Sequence, residues 1–168
     1  EGVPIHAGVL PFGGNHITND IAIGFRTAVD IAEEIKLKYG SCLPMELAKK
    51  EVIKLSDFIP GEEGSYSKRE LAEIIEARLC DIFELIQKEL KRIDRVSLLP
   101  AGIVLIGGSA RTPGIIELIK RELKLPAEIG VPRDFADVVE ESVSTILASP
   151  LGVISWANNN GSGKNGDF

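Results

Sequence analysis

Ser67-Lys68-Arg69-Glu70 opens a run in which Leu71, Ile75, Leu79, Ile82, Ile86, Leu90 and Ile93 recur at steps of four, four, three, four, four and three. Such steps follow the 3.6-residue turn, so these side chains form one apolar stripe along a helix. Ser67 as N-cap and Glu70 at N3 make a capping box, which satisfies backbone N–H groups that the first turn leaves unpaired. The spacing predicts a helix from Lys68 to about Asp94, a rod of about 40 Å. A rod this long with a single apolar face must lie against other elements, so the chain needs a core that several of them share. With 168 residues, 44% of them hydrophobic and 26% charged, the chain can supply one. A chain of this size buries about 70% of the surface that its unfolded form exposes, without disulfides or metal.

Around this rod the pattern is mixed. Ile5 to Leu10 is a strand-like run. It is entered at Glu1 with neither an initiator Met nor a signal peptide, so the chain is expected to be a fragment of something longer. Gly13-Gly14-Asn15 reads as a turn and is followed by a helix to about Arg26. A second helix spans Val29 to Tyr39, with Gly40 at its C′ position. Pro44 leaves residues 41–48 ambiguous. Val52 to Leu55 is a strand candidate, and the Pro60, Gly61 and Gly64 region reads as a hairpin or loop.

Ile103-Val104-Leu105-Ile106 is a continuous apolar run, expected for a strand covered on both faces. Gly107-Gly108-Ser109 ends it, and Thr112 and Pro113 read as the cap and first residue of a helix to about Lys124. A short strand from Ala127 to Val131 follows, then a helix from Val138 to Leu147 and a helical piece from Leu151 to Trp156. The order is mixed α/β. Asn158 to Phe168 is polar and Gly-rich, a flexible tail. Its Gly-Ser-Gly-Lys is not a phosphate-binding loop, because Asn165 stands where a Ser or Thr would hold magnesium.

Several function classes are excluded. A net charge of −6, with 19 Lys and Arg spread among 25 acids, argues against nucleic acid. No apolar run is long enough to span a bilayer. Cys42 and Cys80 form no CxxC and have no nearby His, so they read as buried or incidental thiols rather than zinc ligands. His6 and His16 have no acid or Cys at ligand or triad spacing and read as structural.

Four other constellations could carry chemistry. Glycines at the end of a strand, here Gly107 and Gly108 with Ser109 and Arg111 behind them, let a backbone approach a ligand at a helix N-terminus. The alternative is a tight turn that only reverses the chain. Glu33 and Lys36, three apart on one helical face, place an acceptor and a donor together as ribose hydroxyls require, or form an ordinary solvated ion pair. The polar face of the long helix, with Lys68, Arg69, Arg78, Asp81, Lys88, Lys91 and Arg92, suits an acidic peptide or is simply solvated. Gly13 to Asp20 is a phosphate-side turn, or a loop capped by Asn and Thr.

Taken in order, four segments resemble the bacterial FtsA cell-division family of the actin/Hsp70 ATPase superfamily. They are Pro11-Phe12-Gly13-Gly14-Asn15-His16-Ile17-Thr18-Asn19-Asp20-Ile21-Ala22, Ala32-Glu33-Glu34-Ile35-Lys36 with Gly40, Leu99 to Ala110, and Leu125 to Pro132. The resemblance implies an α/β fold, the second half of an actin-like (ribonuclease H-like) fold. Residues 1–16 and 99–157 would form part of subdomain IIA, residues 17–98 the inserted IIB lobe, and residues 158–168 the tail. It implies that Gly107, Gly108, Ser109 and Arg111 lie against the adenosine of ATP, with Glu33 and Lys36 reaching ribose and base from IIB.

It further implies that IIB takes the C-terminal peptide of the tubulin-like protein FtsZ, with Arg69, Arg78 and Asp81 as the expected surface. Self-association into actin-like filaments, and a place at the inner face of the cell membrane at the division site, follow from the same family. The family's magnesium and γ-phosphate loops, and its amphipathic membrane helix, have no counterpart in these residues, so ATP hydrolysis by this chain is not expected. A PilM-like pilus-assembly adaptor and a piece of a superfamily sugar kinase are the alternatives. The isolated chain is expected to self-associate through uncovered sheet edges.

Overall fold

The structure, a computed structural model, describes residues 4–96, 98–132 and 141–161. In chain order the elements are α1 (Gly14–Phe25), α2 (Val29–Tyr39), a 3₁₀ turn at Pro44–Glu46, β1 (Val52–Lys54), a 3₁₀ turn at Leu55–Asp57 and β2 (Ser65–Ser67). They continue with α3 (Lys68–Arg92), β3 (Ile103–Leu105), a 3₁₀ turn at Gly108–Arg111, α4 (Ile115–Leu123), β4 (Ala127–Ile129) and α5 (Glu141–Gly161).

Helix α3 starts where its cap requires: the Ser67 hydroxyl accepts from the Glu70 N–H at 3.4 Å. Its 25 residues span about 37 Å at about 1.5 Å each. Leu71, Ile75, Leu79 and Phe83 are buried along it. Phe83 is the buried residue of the next turn, whereas Ile82, expected on the stripe, is only half-buried. Ile17, Ile21 and Phe25 of α1, Ala32 and Ile35 of α2, Ile53 of β1 and Leu118 and Ile119 of α4 join the same buried cluster.

Polar contacts fix how these elements sit on α3. The Arg78 guanidinium grips Asp20 of α1 at 2.5 and 2.8 Å, a two-pronged pairing that sets orientation as well as distance. Arg121 of α4 reaches Glu76 at 2.6 Å. Tyr66 of β2 stacks on Phe25, with ring centroids 4.0 Å apart and 5° between planes, and its hydroxyl donates to the Phe25 carbonyl at 2.7 Å.

Two small sheets complete the fold. β1 and β2 pair antiparallel, with Lys54 opposite Ser65, so of the two readings, hairpin or loop, the hairpin is the one that forms. β3 and β4 pair in parallel, with Ile103 opposite Ala127, and α4 forms the crossover between them. Gly102, at φ +80°, lets the chain enter β3 beside Pro126: a Cβ there would lie 2.2 Å from the Pro126 carbonyl oxygen.

Five expectations need correction. Residues 5–10 are not a strand: they run without a ladder, and Ile5 and Val9 are almost fully exposed. A strand exists only through its pairing, and among the described residues β3 pairs with β4 alone. β3 is covered on one face, not two, since Val104 between its half-buried neighbours is exposed. α4 begins at Ile115, not at Thr112-Pro113, because Gly114 sits at φ +84° and interrupts the turn. Leu43 packs where a Gly114 side chain would be. Gly40 is extended rather than left-handed; its missing Cβ makes room for the Lys36 carbonyl and Ile75 instead.

The two expected C-terminal helices are one, α5, with Pro150 inside it, and it reaches Gly161. Extending a formed helix fixes one residue per hydrogen bond gained, so Asn158 to Gly161 join it despite their composition. Val138 to Glu140 and residues 162–168 lie outside the described residues. Cys42 is fully buried beside the Pro113 carbonyl, and burial pushes its thiol up to about 12, as suits a structural thiol.

Leu118 is fully buried between α4 and the α3 stripe. Leu118→Ala is expected to lower the unfolding free energy by about 2–5 kcal/mol, read from the urea midpoint at unchanged slope.

Candidate functional site

A cleft of about 630 Å³ opens between the first turn of α1, one face of α2 and the turn after β3. Its polar centre lies on the helical side. Lys36 and Glu33 pair at 2.6 Å across one turn of α2. The Thr18 hydroxyl, buried on α1, donates to Glu33 Oε2 and accepts from Lys36 Nζ at 2.8 Å. Lys36 Nζ also reaches the Gly14 carbonyl at 3.4 Å. Burial pushes the Glu33 carboxyl up, but hydrogen bonds from Lys36 and Thr18 and the charge of Lys36 outweigh it and hold the group below its ordinary value.

The other wall is backbone. β3 ends, Gly107 turns at φ +95°, and the 3₁₀ turn begins. The Gly107 N–H donates to the Thr145 carbonyl of α5 at 2.9 Å, and the Thr145 hydroxyl donates to the Gly130 carbonyl at 3.0 Å. One buried threonine therefore ties the ends of both strands to α5. Among the described residues, no atom outside the adjoining residues lies within 4 Å of where a Cβ of Gly107 or Gly108 would stand, so the turn is open there. The two walls approach each other at Gly14, where a Cβ would be 2.8 Å from Ser109 Oγ.

Glu33, Lys36, Gly108, Ser109 and Arg111 thus line one cleft, although more than seventy residues separate the two groups in sequence. Gly107 makes the turn without lining the cleft. Chemically, one wall offers a carboxylate acceptor beside an ammonium donor, and the other a glycine surface against which a flat group can lie. Among the described residues, no three His, Cys, Asp or Glu side chains converge as metal ligands would.

The three α3 residues do not form one surface. Nine residues apart, Arg69 and Arg78 project about 180° from each other at about 100° per residue. Arg69 pairs with Glu73 at 3.2 Å and touches Met45, whereas Arg78 is held by Asp20, with Asp81 at 3.3 Å. Asp81 is largely exposed. His16 accepts from the Gly13 N–H at 3.2 Å, closing the first turn of α1.

Sequence reasoning missed Thr18 as the hub between Glu33 and Lys36, and Asp20 as the partner of Arg78. A signal for Thr18 was present. It falls among Ile17, Ile21, Ala22 and Phe25 on the buried face of α1, and a hydroxyl there needs a partner.

Because the folded-state pKa of Glu33 is lowered, the stability it contributes is present above the ordinary value of 4.5 and is lost as pH falls through the lower folded value. Urea midpoints measured from pH 6 to 3 are expected to decline less steeply in Glu33→Gln than in the parent chain.

The chain is similar to known proteins in sequence and in fold. The family model "Cell division protein FtsA" matches residues 1–152. FtsA of Pseudomonas aeruginosa is 34% identical over 156 residues, covering 93% of this chain and 37% of that protein. FtsA of Streptococcus pneumoniae is 38% identical over 141 residues, covering 80% of this chain and 30% of that protein. The chain spans about a third of the length of these curated relatives. Among solved structures, MreB5 of Spiroplasma citri bound to ADP superposes with a TM-score of 0.58 at 20% identity, covering 89% of this chain and 46% of that one. That likeness shows the fold to be part of an actin-like one. With its motifs in order and nearly its whole length matched, the chain belongs to the FtsA family of cell-division proteins.

Proposed function

We propose that this chain supplies the adenosine side of an ATP site in an actin-like cell-division scaffold that recruits FtsZ. The observation that carries the reading is the meeting of the Glu33–Lys36 pair with Gly108 and Ser109 of the turn after β3 across one cleft. The fit to adenosine is direct. The space that a side chain at Gly108 would fill is free for a purine, and Glu33 can accept from ribose hydroxyls while Lys36 can donate the proton that its long 3.4 Å contact to the Gly14 carbonyl holds only weakly. The ADP and AMPPNP named with the MreB5 structures support the same ligand class.

In this reading residues 17–98 are the IIB lobe, and residues 1–16 with 99–157 are part of IIA. The residues assigned here bind and orient nucleotide, and bound nucleotide would supply a bridge between the two walls. No hydrolytic step and no magnesium ligand is assigned to them. Self-association into filaments and a place at the division site belong to the complete scaffold.

Displacement of a fluorescent ATP analogue tests the site. Glu33→Gln is expected to weaken ATP binding by about tenfold or more, since a hydrogen bond to a charged acceptor is worth about 1.5–3 kcal/mol. Equal affinity in parent and variant would remove the ribose role. For recruitment, Arg69 is the informative position, because its partner Glu73 lies on α3 itself, whereas Arg78 is held at two points by Asp20 of α1 and its loss would disturb the packing. Anisotropy of a labelled FtsZ C-terminal peptide is expected to rise saturably with the chain and to need more of it after Arg69→Glu. An unchanged titration with a folded variant would take that face of α3 out of the interface.

A further inference from the structure

Thr18 occupies an unusual place. It is 3% exposed, in the middle of the apolar face of α1, yet its hydroxyl points at the two side chains that line the cleft. A hydroxyl carries one proton and two lone pairs. Its contact with Glu33 is the closer of its two acceptor contacts, the other being the Gly14 carbonyl at 3.2 Å, so the proton goes to the carboxylate. A lone pair then takes a proton of the Lys36 ammonium at 2.8 Å. Lys36 closes the ring at 2.6 Å from Glu33 Oε2.

The ring has two consequences. Thr18 and Lys36 both engage Oε2, and no contact to Oε1 is among these bonds, so one oxygen of Glu33 is left for a further donor. Thr18 is also β-branched, with a stiff χ1, on a helix that Arg78 clamps through Asp20 two residues further on. Glu33 and Lys36 are long side chains on a neighbouring helix, and by themselves each has several rotamers. We propose that Thr18 is a positioning residue that locks Glu33 and Lys36 in the rotamers with which they receive ribose hydroxyls, and so sets the discrimination between ribose and sugars lacking them. The proposal rests on the adenosine reading given above and concerns a residue that need not touch the nucleotide.

Holding the ring in advance removes the rotamer entropy that binding would otherwise have to spend on Glu33. The effect is confined to ligands that use Glu33, and this separates positioning from general support of the fold. ATP uses the carboxylate through its 2′ and 3′ hydroxyls; 2′,3′-dideoxyATP has neither.

The test compares affinities for ATP and 2′,3′-dideoxyATP in the parent chain, Thr18→Val, Thr18→Ser and Glu33→Gln, with melting curves to establish that each is folded. Thr18→Val keeps shape and burial but loses the hydroxyl, and is expected to reduce the preference for ATP about fivefold, with little change for the dideoxy nucleotide. Thr18→Ser is expected to restore the preference. If Thr18→Val weakens both nucleotides equally, or keeps the preference while Glu33→Gln abolishes it, the positioning role is overturned and the adenosine reading stands. A folded parent chain that binds neither nucleotide overturns both.

Discussion

The line of Leu71, Ile75, Leu79 and Phe83 along α3 is where α1, α4 and the hairpin meet, with α2 packed on α1 in the same buried cluster. Apolar burial has no direction of its own, so the stripe alone would let those partners slide and rotate. Direction comes from a few polar contacts at its edges: Arg78 with Asp20, Arg121 with Glu76, and the Tyr66 hydroxyl with the Phe25 carbonyl. Each joins two elements already brought together by burial. The division of labour is general, since burial supplies the bulk of the free energy and charge-assisted hydrogen bonds choose among packings of similar area.

What the sequence disclosed follows from the range of the forces involved. Helices α2 and α3 are legible because period, caps and breakers lie within the segments themselves, and their predicted limits agree with the structure to within two residues. Strand β1 is legible for the same reason, whereas β2, three residues with no alternation of their own, is not. Strand behaviour at residues 5–10 and the exposure of Val104 are not, because a strand's identity depends on neighbours that local pattern does not specify. The start of α4 is not legible, because Thr112-Pro113 is a good local start while Leu43, 71 residues earlier, reserves the space beside Gly114. Tertiary contact overrode a local preference there.

The cleft divides in the same way. Its residues belong to two separate local patterns, a carboxylate and lysine at helical spacing and glycines after an apolar run. That they face each other was known only through resemblance to a family, because no local rule links residue 36 to residue 108. Thr18 escaped notice because a single threonine on an amphipathic helix carries no motif. Its meaning lies wholly in what the fold brings beside it.

The crossover through α4 has a thermodynamic consequence for that cleft. β3 and β4 pair in parallel, so Ile103 and Ala127 cannot meet until the helix between them has docked. Leu118 and Ile119, which dock it, do not line the cleft, yet they hold the strand from which the Gly107 turn emerges. Whatever binds at the turn is therefore linked to the population of the docked state. Its apparent affinity falls in proportion to that population, and by reciprocity its binding draws α4 onto α3. Residues buried on the far side of α4 can in this way tune a ligand they never touch.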